Sequence, residues 1–275
     1  MATVRLTMSQ ALTRWMTAQS IEQLDGSIEP AFAGVWAIFG HGNVAGLGEA
    51  LYGVRDQLPT YRGHNEQSMA HIAIAYAKQK QRRRMMAVTT SIGPGATNLA
   101  TAAALAHVNR LPVLLLPGDV FATRAPDPVL QQVESFADGT VSANDCLRPI
   151  SRYFDRITRP EQLLQALPKA MSVLTDPADC GPVTLGLCQD VQAEAWDYPE
   201  SFFAPRVWHM RRISPDAAEL SRAIEILKSA KRPMIVAGGG VRYSGASQAL
   251  TAFAETAGIP VAATQAGKSS LVEAH

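Results

Sequence analysis

The stretch from Arg62 to Lys78 reads Arg-Gly-His-Asn-Glu-Gln-Ser-Met-Ala-His-Ile-Ala-Ile-Ala-Tyr-Ala-Lys, and it predicts a buried helix that begins with a carboxylate. Asn65 is a favourable N-cap residue, which puts Glu66 in the first helical turn. The helix body is expected to be buried because apolar residues recur at helical spacing, at Met69, Ala70, Ala73, Ile74 and Ala77. Two explanations stay open for Glu66: it complements the helix dipole, or it belongs to a binding site.

The composition is that of an ordinary globular protein. The chain has 275 residues, 47% of them hydrophobic and 18% charged, which is enough for one large domain or two smaller ones. Its formal net charge of +1 gives no electrostatic indication of binding to nucleic acid or to an anionic membrane. The three cysteines form no Cys-x-x-Cys pair, so neither a disulfide framework nor a zinc site is predicted. We expect a cytoplasmic protein with no signal peptide and no membrane span.

Alternating apolar runs and helical patterns predict a parallel sheet. Short apolar runs bounded by glycine or proline predict buried strands at 34–40, 85–90, 112–116 and 181–188. Amphipathic or alanine-rich patterns predict helices at 8–21, 45–54, 66–78, 96–108 and 160–176. Strands and helices that alternate in this way indicate an α/β fold, a doubly wound parallel sheet with helices on both faces.

Polar and glycine-rich turns follow the predicted strands. They are His41-Gly42-Asn43, the run Ser-Ile-Gly-Pro-Gly-Ala-Thr-Asn at 91–98, and Gly118-Asp119. Ligands of such sheets bind at the carboxyl ends of the strands, and glycines let the backbone approach a ligand closely. These turns are therefore expected to share one edge of the sheet. His41 is open to two interpretations, a site residue or a histidine satisfied at the end of its strand.

The second half of the chain indicates a further, smaller unit. Residues 121–145 predict a long loop with a short helical piece at 130–136, and the first domain is expected to end near residue 190. Residues 191–212 have no periodicity and predict a linker. The remaining residues, 213–275, predict an α/β unit with only about two strands, which would be marginal alone. We therefore expect the chain to be part of a longer protein or to be completed by another polypeptide.

Several common nucleotide and nucleophile motifs do not occur. The run 40–46, Gly-His-Gly-Asn-Val-Ala-Gly, has three residues between its last two glycines where the dinucleotide fingerprint has two. No Gly-x-x-x-x-Gly-Lys-Ser/Thr and no Gly-x-Ser-x-Gly is present. The triplet 238–240, Gly-Gly-Gly, fits a tight turn between strand and helix, and a phosphate site is its alternative interpretation.

Taken together, five motifs resemble the acetolactate synthase-like family of thiamine-diphosphate enzymes, in order and over essentially the whole chain. They are 62–78, Ser-x-Gly-Pro-Gly-x-Thr-Asn at 91–98, Gly-Pro-Val at 181–183 with Gln-Asp-Val at 189–191, Arg-Pro at 232–233 with the 238–240 triplet, and Ala-Gly-Ile-Pro-Val at 257–261 with Thr264 and Gly267. The resemblance implies a pyrimidine-binding domain at 1–190, a linker at 191–212, and a truncated, Rossmann-like central domain at 213–275. The diphosphate-binding domain of the family would be absent.

Three segments resemble, within that family, the ring-opening hydrolases of myo-inositol catabolism. They are Phe-Gly-His-Gly-Asn-Val at 39–44, Arg-Gly-His-Asn-Glu-Gln at 62–67, and Leu-Leu-Pro-Gly-Asp-Val-Phe at 115–121. This resemblance implies cleavage of a carbon–carbon bond in trihydroxycyclohexane-1,2-dione, a cyclic dione, to give 5-deoxyglucuronic acid. The alternatives are an acetolactate synthase-like carboligase or decarboxylase, and a non-catalytic remnant or partner chain.

The family resemblance also implies roles for individual residues. The glutamate that matches Glu66 is catalytic: it hydrogen-bonds N1′ of the cofactor pyrimidine and favours its imino tautomer. Burial would favour the protonated carboxyl that this role needs, whereas the helix dipole opposes it. His41 could pass a proton to the substrate. Cofactor-binding positions implied in addition to Glu66 are Gly42, Gly93, Gly95 and Asn98, and weaker matches to the substrate pocket are Asn43 and Gln131.

One part of the family pattern is missing from the sequence. Relatives hold the diphosphate and Mg²⁺ through a Gly-Asp-Gly segment and a later Asn in a carboxyl-terminal domain, and the nearest match here is Ala137-Asp138-Gly139. We therefore expect no metal ligands in this chain, and weak or no cofactor binding and no turnover by the chain alone. The resemblance further implies a homo-oligomer, in which the active site is completed by the missing domain or by a second subunit.

Overall fold

The computed structural model describes residues 2–135 and 137–272. The chain divides into two compact units, Met1–Met210 and Arg211–His275, which are described separately. Within the described residues, no helix is long and apolar enough to cross a membrane.

The first unit contains both strands and helices and is an α/β unit. Its strands are β1 Thr3–Thr7, β2 Gln19–Glu22, β3 Ile28–Pro30, β4 Phe32–Ala37, β5 Thr60–Arg62, β6 Met85–Thr90, β7 Val113–Asp119, β8 Tyr153–Ile157, β9 Pro182–Cys188, β10 Ala195–Pro199 and β11 Arg206–Trp208. Its α-helices are α1 Met8–Thr17, α2 Glu49–Gly53, α3 Glu66–Gln79, α4 Pro94–Thr97, α5 Ala100–Asn109, α6 Leu163–Leu174 and α7 Gln189–Gln192. A π-helical turn at Val44–Gly48 precedes α2, and 3₁₀ turns lie at Ala143–Ile150, Pro160–Gln162 and Glu200–Phe203.

Six strands form one sheet in the order β5-β4-β6-β7-β9-β8, and every neighbouring pair is parallel. The predicted doubly wound parallel fold is therefore confirmed. From β4 the chain moves outward to β5, and it then returns to the other side of β4 to form β6. The direction of winding thus changes between β4 and β6, and a crevice that commonly holds ligands opens at such a point.

The core lies on both faces of this sheet. Every residue of β6, β7 and β9 is buried, as expected for central strands that are covered on both sides. Helix α3 buries the apolar face predicted from its spacing, Met69, Ala70, Ala73, Ile74 and Ala77. The apolar faces of α1 and α6 pack together in the largest group of buried apolar residues.

The expected linker at 191–212 differs from the structure. Strand β10 pairs antiparallel with β1, and β11 pairs parallel with β2. Tyr198 is fully buried, and Phe203 and Trp208 are nearly so, while the Trp208 indole donates a 2.9 Å hydrogen bond to Oε1 of Gln19. The buried aromatic side chains therefore pack this segment against the rest of the first unit. That unit extends to Met210 rather than ending near residue 190.

Two other expectations also need correction. The helix expected at 8–21 ends at Thr17, because the following residues form β2. The short helical piece expected at 130–136 is not formed at 130–135, where the backbone makes irregular turns, and Phe136 lies outside the described residues.

The second unit has the small α/β pattern that the sequence predicts. Strands β12 Ile235–Ala237 and β13 Val261–Ala263 are parallel, and the helices are α8 Ala217–Ser229, α9 Gly239–Tyr243 and α10 Ser247–Ala257. Gly238 of the glycine triplet lies between β12 and α9, and Gly239 and Gly240 begin α9. A Cβ atom at Gly267 would lie 2.0 Å from the carbonyl oxygen of Ala237, so glycine allows these two segments to come close.

Candidate active site

Glu66 begins α3 at the edge of the sheet where the strands end. Asn65 caps the helix as predicted, because its side-chain oxygen accepts a 2.9 Å hydrogen bond from the backbone N–H of Ser68. The Glu66 side chain is partly buried. Its Oε2 atom accepts a 2.8 Å hydrogen bond from the side-chain amide of Asn98. The first turn of α3 is thereby joined to the glycine-rich turn that follows β6.

Two glycines of that turn allow unusually close contacts. Gly93 has a φ of +57°, and a Cβ atom there would lie 2.2 Å from the carbonyl oxygen of Gln131. A Cβ atom at Gly95 would lie 2.3 Å from Oγ of Ser91 and 3.2 Å from Oε1 of Glu66. The lack of a side chain at both positions permits these contacts, and only the contact at Gly95 involves the Glu66 carboxylate.

The segment after β4 lies against the same turn. The carbonyl oxygen of His41 accepts a 3.2 Å hydrogen bond from the backbone N–H of Ile92. Gly42 has a φ of +99°, and a Cβ atom there would lie 2.4 Å from Cγ2 of Ile92. Thus the turns after β4 and β6, the two strands that border the switch point, pack directly on each other.

His41 has one ring nitrogen without a partner. The ring is partly buried, and its Nε2 atom is inaccessible to solvent with no hydrogen-bond partner among the described residues. A buried polar atom of this kind usually has a partner in the functional state of a protein. The unpartnered Nε2 atom therefore favours the interpretation of His41 as a site residue over that of a histidine satisfied at the end of its strand.

The buried side chain of Asn43 stabilises the segment after β4 through hydrogen bonds. Its side chain is 1% exposed, and its oxygen accepts a 3.0 Å hydrogen bond from the backbone N–H of Gly40. Its amide nitrogen donates to the carbonyl oxygen of Ile38 at 3.2 Å and to Oγ1 of Thr89 at 3.1 Å. These bonds occupy the oxygen and both amide protons of Asn43, so the side chain shapes the loop.

Gln131 approaches the site through its main chain. Its φ is +65°, its carbonyl oxygen faces Gly93, and its side chain is exposed. The structure therefore brings together Glu66, Gly93, Gly95 and Asn98, with His41 and Gly42 on the adjoining turn. Asn43 is buried beneath them, and Gln131 contributes a backbone contact.

A buried polar network fixes the next strand end. Asp119, at the end of β7, accepts hydrogen bonds from Oγ of Ser142 at 2.9 Å and from Nε of Arg156 at 2.8 Å. Burial alone would lower the pKa of the Arg156 guanidinium, but the neighbouring Asp119 carboxylate raises it above its ordinary value. Sequence analysis located Asp119 at this edge but missed both partners, because neither lies in a recognisable motif.

Helix α7, at the end of β9, supplies two further residues that sequence analysis did not assign to the site. Gln192 donates hydrogen bonds to the carbonyl oxygens of Gly42 and Leu187. Asp190 accepts hydrogen bonds from the backbone N–H groups of Ala122 and Thr123. The signal available in the sequence was the Gln-Asp-Val-Gln run directly after a buried strand.

The described residues bring a carboxylate and an amide together at the switch point of the sheet. The Glu66 carboxylate and the Asn98 amide are hydrogen-bonding groups that suit a nitrogen-containing ring. In contrast, no group of three or more His, Cys, Asp or Glu residues able to hold a metal ion occurs among residues 2–135 and 137–272. The pair Glu66 and Asn98 fits the pyrimidine of thiamine diphosphate, which is a nitrogen-containing ring.

Comparison with known proteins identifies both units. Residues 33–138 match the N-terminal TPP binding domain of thiamine pyrophosphate enzymes, and residues 220–275 match the central domain of those enzymes. The whole chain is 54% identical to the 3D-(3,5/4)-trihydroxycyclohexane-1,2-dione hydrolase of Geobacillus thermodenitrificans (strain NG80-2), and it covers 43% of that protein. It is 53% identical to the 3D-(3,5/4)-trihydroxycyclohexane-1,2-dione hydrolase of Bacillus anthracis, of which it covers 42%.

The chain thus spans less than half the length of these relatives. The family resemblance carried by the sequence motifs is confirmed, as is thiamine diphosphate as the cofactor of the matching domain. The chain therefore belongs to the thiamine pyrophosphate enzymes and carries their N-terminal cofactor-binding domain and their central domain.

Proposed function

We propose that this chain is the N-terminal and central part of a thiamine-diphosphate-dependent hydrolase that opens the ring of trihydroxycyclohexane-1,2-dione. The observation that carries the proposal is the 2.8 Å hydrogen bond between Asn98 and Glu66 at the switch point of the sheet. The identity of 54% over all 275 residues to a relative named for this hydrolysis supports the choice of substrate. The reaction belongs to inositol catabolism.

The proposed reaction uses one molecule of water. The bond between the two carbonyl carbons of the dione breaks. One carbonyl carbon receives the hydroxyl of water and becomes a carboxylic acid, while the other receives a proton and becomes an aldehyde. An open-chain product with one acid and one aldehyde is a uronic acid, in agreement with 5-deoxyglucuronic acid.

Glu66 has the central role in this proposal. Thiamine diphosphate, when bound, supplies a nucleophilic carbon that adds to a carbonyl and accepts the electron pair of the breaking bond. The Glu66 carboxyl shares a proton with N1′ of the pyrimidine, and the Asn98 amide holds the carboxyl in place. Gly93 and Gly95 let the turn after β6 approach the Gln131 loop and Glu66 closely, since a side chain at either position would collide with its neighbours.

The turn after β4 supplies the substrate side of the proposed site. His41 Nε2, which has no partner among the described residues, transfers a proton to or from a substrate oxygen. Gly42 brings the turn against Ile92, and Asn43 holds its shape through bonds to Gly40, Ile38 and Thr89. The loop that carries Gln131 closes over Gly93.

The other half of the site comes from outside these residues. Mg²⁺ and the diphosphate require oxygen ligands, which we assign to a diphosphate-binding domain in the remainder of the enzyme or in a second subunit. We also propose that the enzyme is a cytoplasmic homo-oligomer. Isothermal titration calorimetry on this chain, with thiamine diphosphate and Mg²⁺, is expected to detect weak binding or none. Tight binding would contradict the assignment of the metal site to another domain.

A direct assay tests the proposed activity. The enzyme that contains this chain together with its diphosphate-binding domain, supplied with the cofactor and Mg²⁺, should convert the cyclic dione to an acid that also carries an aldehyde. Pyruvate, offered separately, should be neither decarboxylated nor joined to a second molecule. Turnover of pyruvate without ring opening would indicate an acetolactate synthase-like enzyme instead. Cofactor binding without any turnover would indicate a non-catalytic chain.

A further inference from the structure

Gln192 is a buried amide that connects the end of β9 to the turn carrying His41. Its side chain is 1% exposed. The Nε2 atom donates hydrogen bonds to the carbonyl oxygen of Gly42 and, at 3.1 Å, to that of Leu187, while Oε1 accepts a 3.2 Å hydrogen bond from the backbone N–H of Leu47. Both amide protons of Gln192 are therefore used in hydrogen bonds. The bond to Gly42 connects Gln192 to the turn after β4.

The π-helical turn that contains Gly46 approaches Gln192 closely. A Cβ atom at Gly46 would lie 2.5 Å from Cβ of Gln192 and 2.8 Å from its Oε1. Gly46 lies within the π-helical turn Val44–Gly48, and the backbone N–H of Leu47, in the same turn, reaches Oε1 of Gln192. A glycine at 46 therefore permits the close approach on which the hydrogen bonds of Gln192 depend.

Asp190 makes the corresponding contact on the other side of α7. Its carboxylate accepts hydrogen bonds from the backbone N–H of Ala122 at 2.9 Å, the backbone N–H of Thr123 at 3.1 Å and the hydroxyl of Thr123 at 2.9 Å. These residues begin the long loop in which the carbonyl oxygen of Gln131 faces Gly93. One short helix thus contacts both segments that border the candidate site.

We propose that Gln192 and Asp190 are positioning residues of the active site. Gln192 fixes the turn that carries His41 and Gly42, and Asp190 fixes the start of the loop over Gly93. The effect on catalysis rests on the proposed function, whereas the effect on the two segments does not. Substitution of Gln192 by methionine preserves side-chain length but leaves two carbonyl oxygens and one N–H without their partner, so the turn would rearrange.

Hydrogen–deuterium exchange on the complete enzyme tests the positioning itself. Gln192→Met is expected to raise the exchange rate of the amides at 40–48, that of Leu47 above all, by about tenfold. Gly46→Ala should raise the same rates, because it displaces the turn while Gln192 stays intact. Asp190→Asn should raise exchange at 122–124. Unchanged exchange at 40–48 in both Gln192→Met and Gly46→Ala would overturn the proposal.

A second buried glutamine provides the matched control. Gln19 is also 1% exposed, and it donates a 2.9 Å hydrogen bond to the carbonyl oxygen of Trp15 and accepts one from the Trp208 indole. Gln19→Met should lower global stability without a selective rise in exchange at 40–48. A selective rise there in Gln19→Met would contradict the proposal, because a general loss of stability would then account for the effect of Gln192→Met.

Kinetics separate a positioning role from a purely structural one. Below the temperature of unfolding, Gln192→Met and Gly46→Ala should each lower kcat about tenfold or more with little change in KM, because the turn acts on the reacting groups rather than on binding. Gln19→Met should leave both constants near those of the wild type. Faster exchange at 40–48 with unaltered kcat would overturn the positioning role. A wild-type enzyme that does not open the dione would instead count against the proposed function alone.

Discussion

The side-chain amide of Asn98 donates a 2.8 Å hydrogen bond to Oε2 of Glu66, across 32 residues of sequence. This bond joins the first turn of α3 to the glycine turn after β6 at the switch point of the parallel sheet. A carboxylate that served only the helix dipole would need no such partner. The contact therefore favours a binding role for Glu66 over the alternative of a dipole complement.

Gly93 should tolerate no side chain. Gly93→Ala is expected to destabilise the first unit by about 1–3 kcal/mol, because the new Cβ atom would lie 2.2 Å from a backbone oxygen and the φ of +57° is strained for alanine. Chemical denaturation measures this change.

Gly26 offers the matched control for Gly93. It also has a positive φ, +84°, but a Cβ atom there would meet nothing within 4 Å. Gly26→Ala should therefore show the cost of backbone strain alone, about 1 kcal/mol. Equal losses in the two variants would contradict the close contact between Gly93 and the Gln131 loop.

The three cysteines should differ sharply in reactivity. Cys146 is exposed, whereas Cys180 and Cys188 are buried. Burial raises the pKa of each buried thiol to about 12. Partial burial, followed by the charge of Asp145, also raises the pKa of Cys146. A thiol reagent should thus label only Cys146 in the folded protein, faster as the pH rises above neutrality.

Mass spectrometry of the labelled peptides measures the reactivity of each cysteine. Cys146→Ser should remove the labelling of the folded protein, and unfolding should expose the other two cysteines. Labelling of Cys188 at the rate of Cys146 under native conditions would show that the end of β9 opens far more readily than its burial indicates.

Asp190 should make stability depend on pH in the acid range. Burial acts to raise the pKa of Asp190, but the hydrogen bonds from the backbone N–H groups of Ala122 and Thr123 and from the Thr123 hydroxyl lower it below its ordinary value of 3.8. Because the pKa is lower in the folded state, the contribution of Asp190 to stability is complete above that ordinary value. It is lost as the pH falls through the lowered pKa.

Urea denaturation between about pH 6 and about pH 3 measures this dependence. Wild type should be more stable than Asp190→Asn at the upper end, and the difference should shrink as the solution becomes acidic. A difference between wild type and Asp190→Asn that grew on acidification would contradict the hydrogen bonds assigned to the Asp190 carboxylate.

Local sequence patterns were sufficient to predict four of the six strands of the main sheet, β4, β6, β7 and β9, and the helix that carries Glu66. Apolar runs such as 85–90 and 181–188 identify central strands, because strands covered on both faces need continuous apolar sequence. The periodic burial of α3 follows from the spacing of Met69, Ala70, Ala73, Ile74 and Ala77. The family motifs then named the residues that the fold brings to one edge.

The strands that the sequence did not reveal depend on distant partners. Strand β1 contains Thr-Val-Arg-Leu-Thr and pairs with β10, so Thr3 lies opposite Pro199. Neither segment has the continuous apolar character of a central strand, and their pairing depends on a contact between the two ends of the first unit. For the same reason the sequence predicts a linker at 191–212, although Tyr198 is fully buried.

The polar contacts around the site were also beyond sequence analysis. Gln192 and Gly42 are 150 residues apart, and nothing in either local pattern indicates that they meet. The resemblance places Asn43 on the substrate side, yet its amide donates hydrogen bonds to Ile38 and to Thr89 of β6. Hydrogen bonds between distant side chains and backbone groups follow from tertiary packing, which local periodicity does not encode.

The central claim, that Glu66 activates the cofactor rather than complementing a helix dipole, is tested most directly by Glu66→Gln in the complete enzyme. Glu219, in the first turn of α8, is the matched control, since a carboxylate there also complements a helix dipole. We expect kcat for ring opening to fall about 10²–10⁴-fold in Glu66→Gln and to stay near the wild-type value in Glu219→Gln, with both variants folded. Full activity in Glu66→Gln would contradict the account.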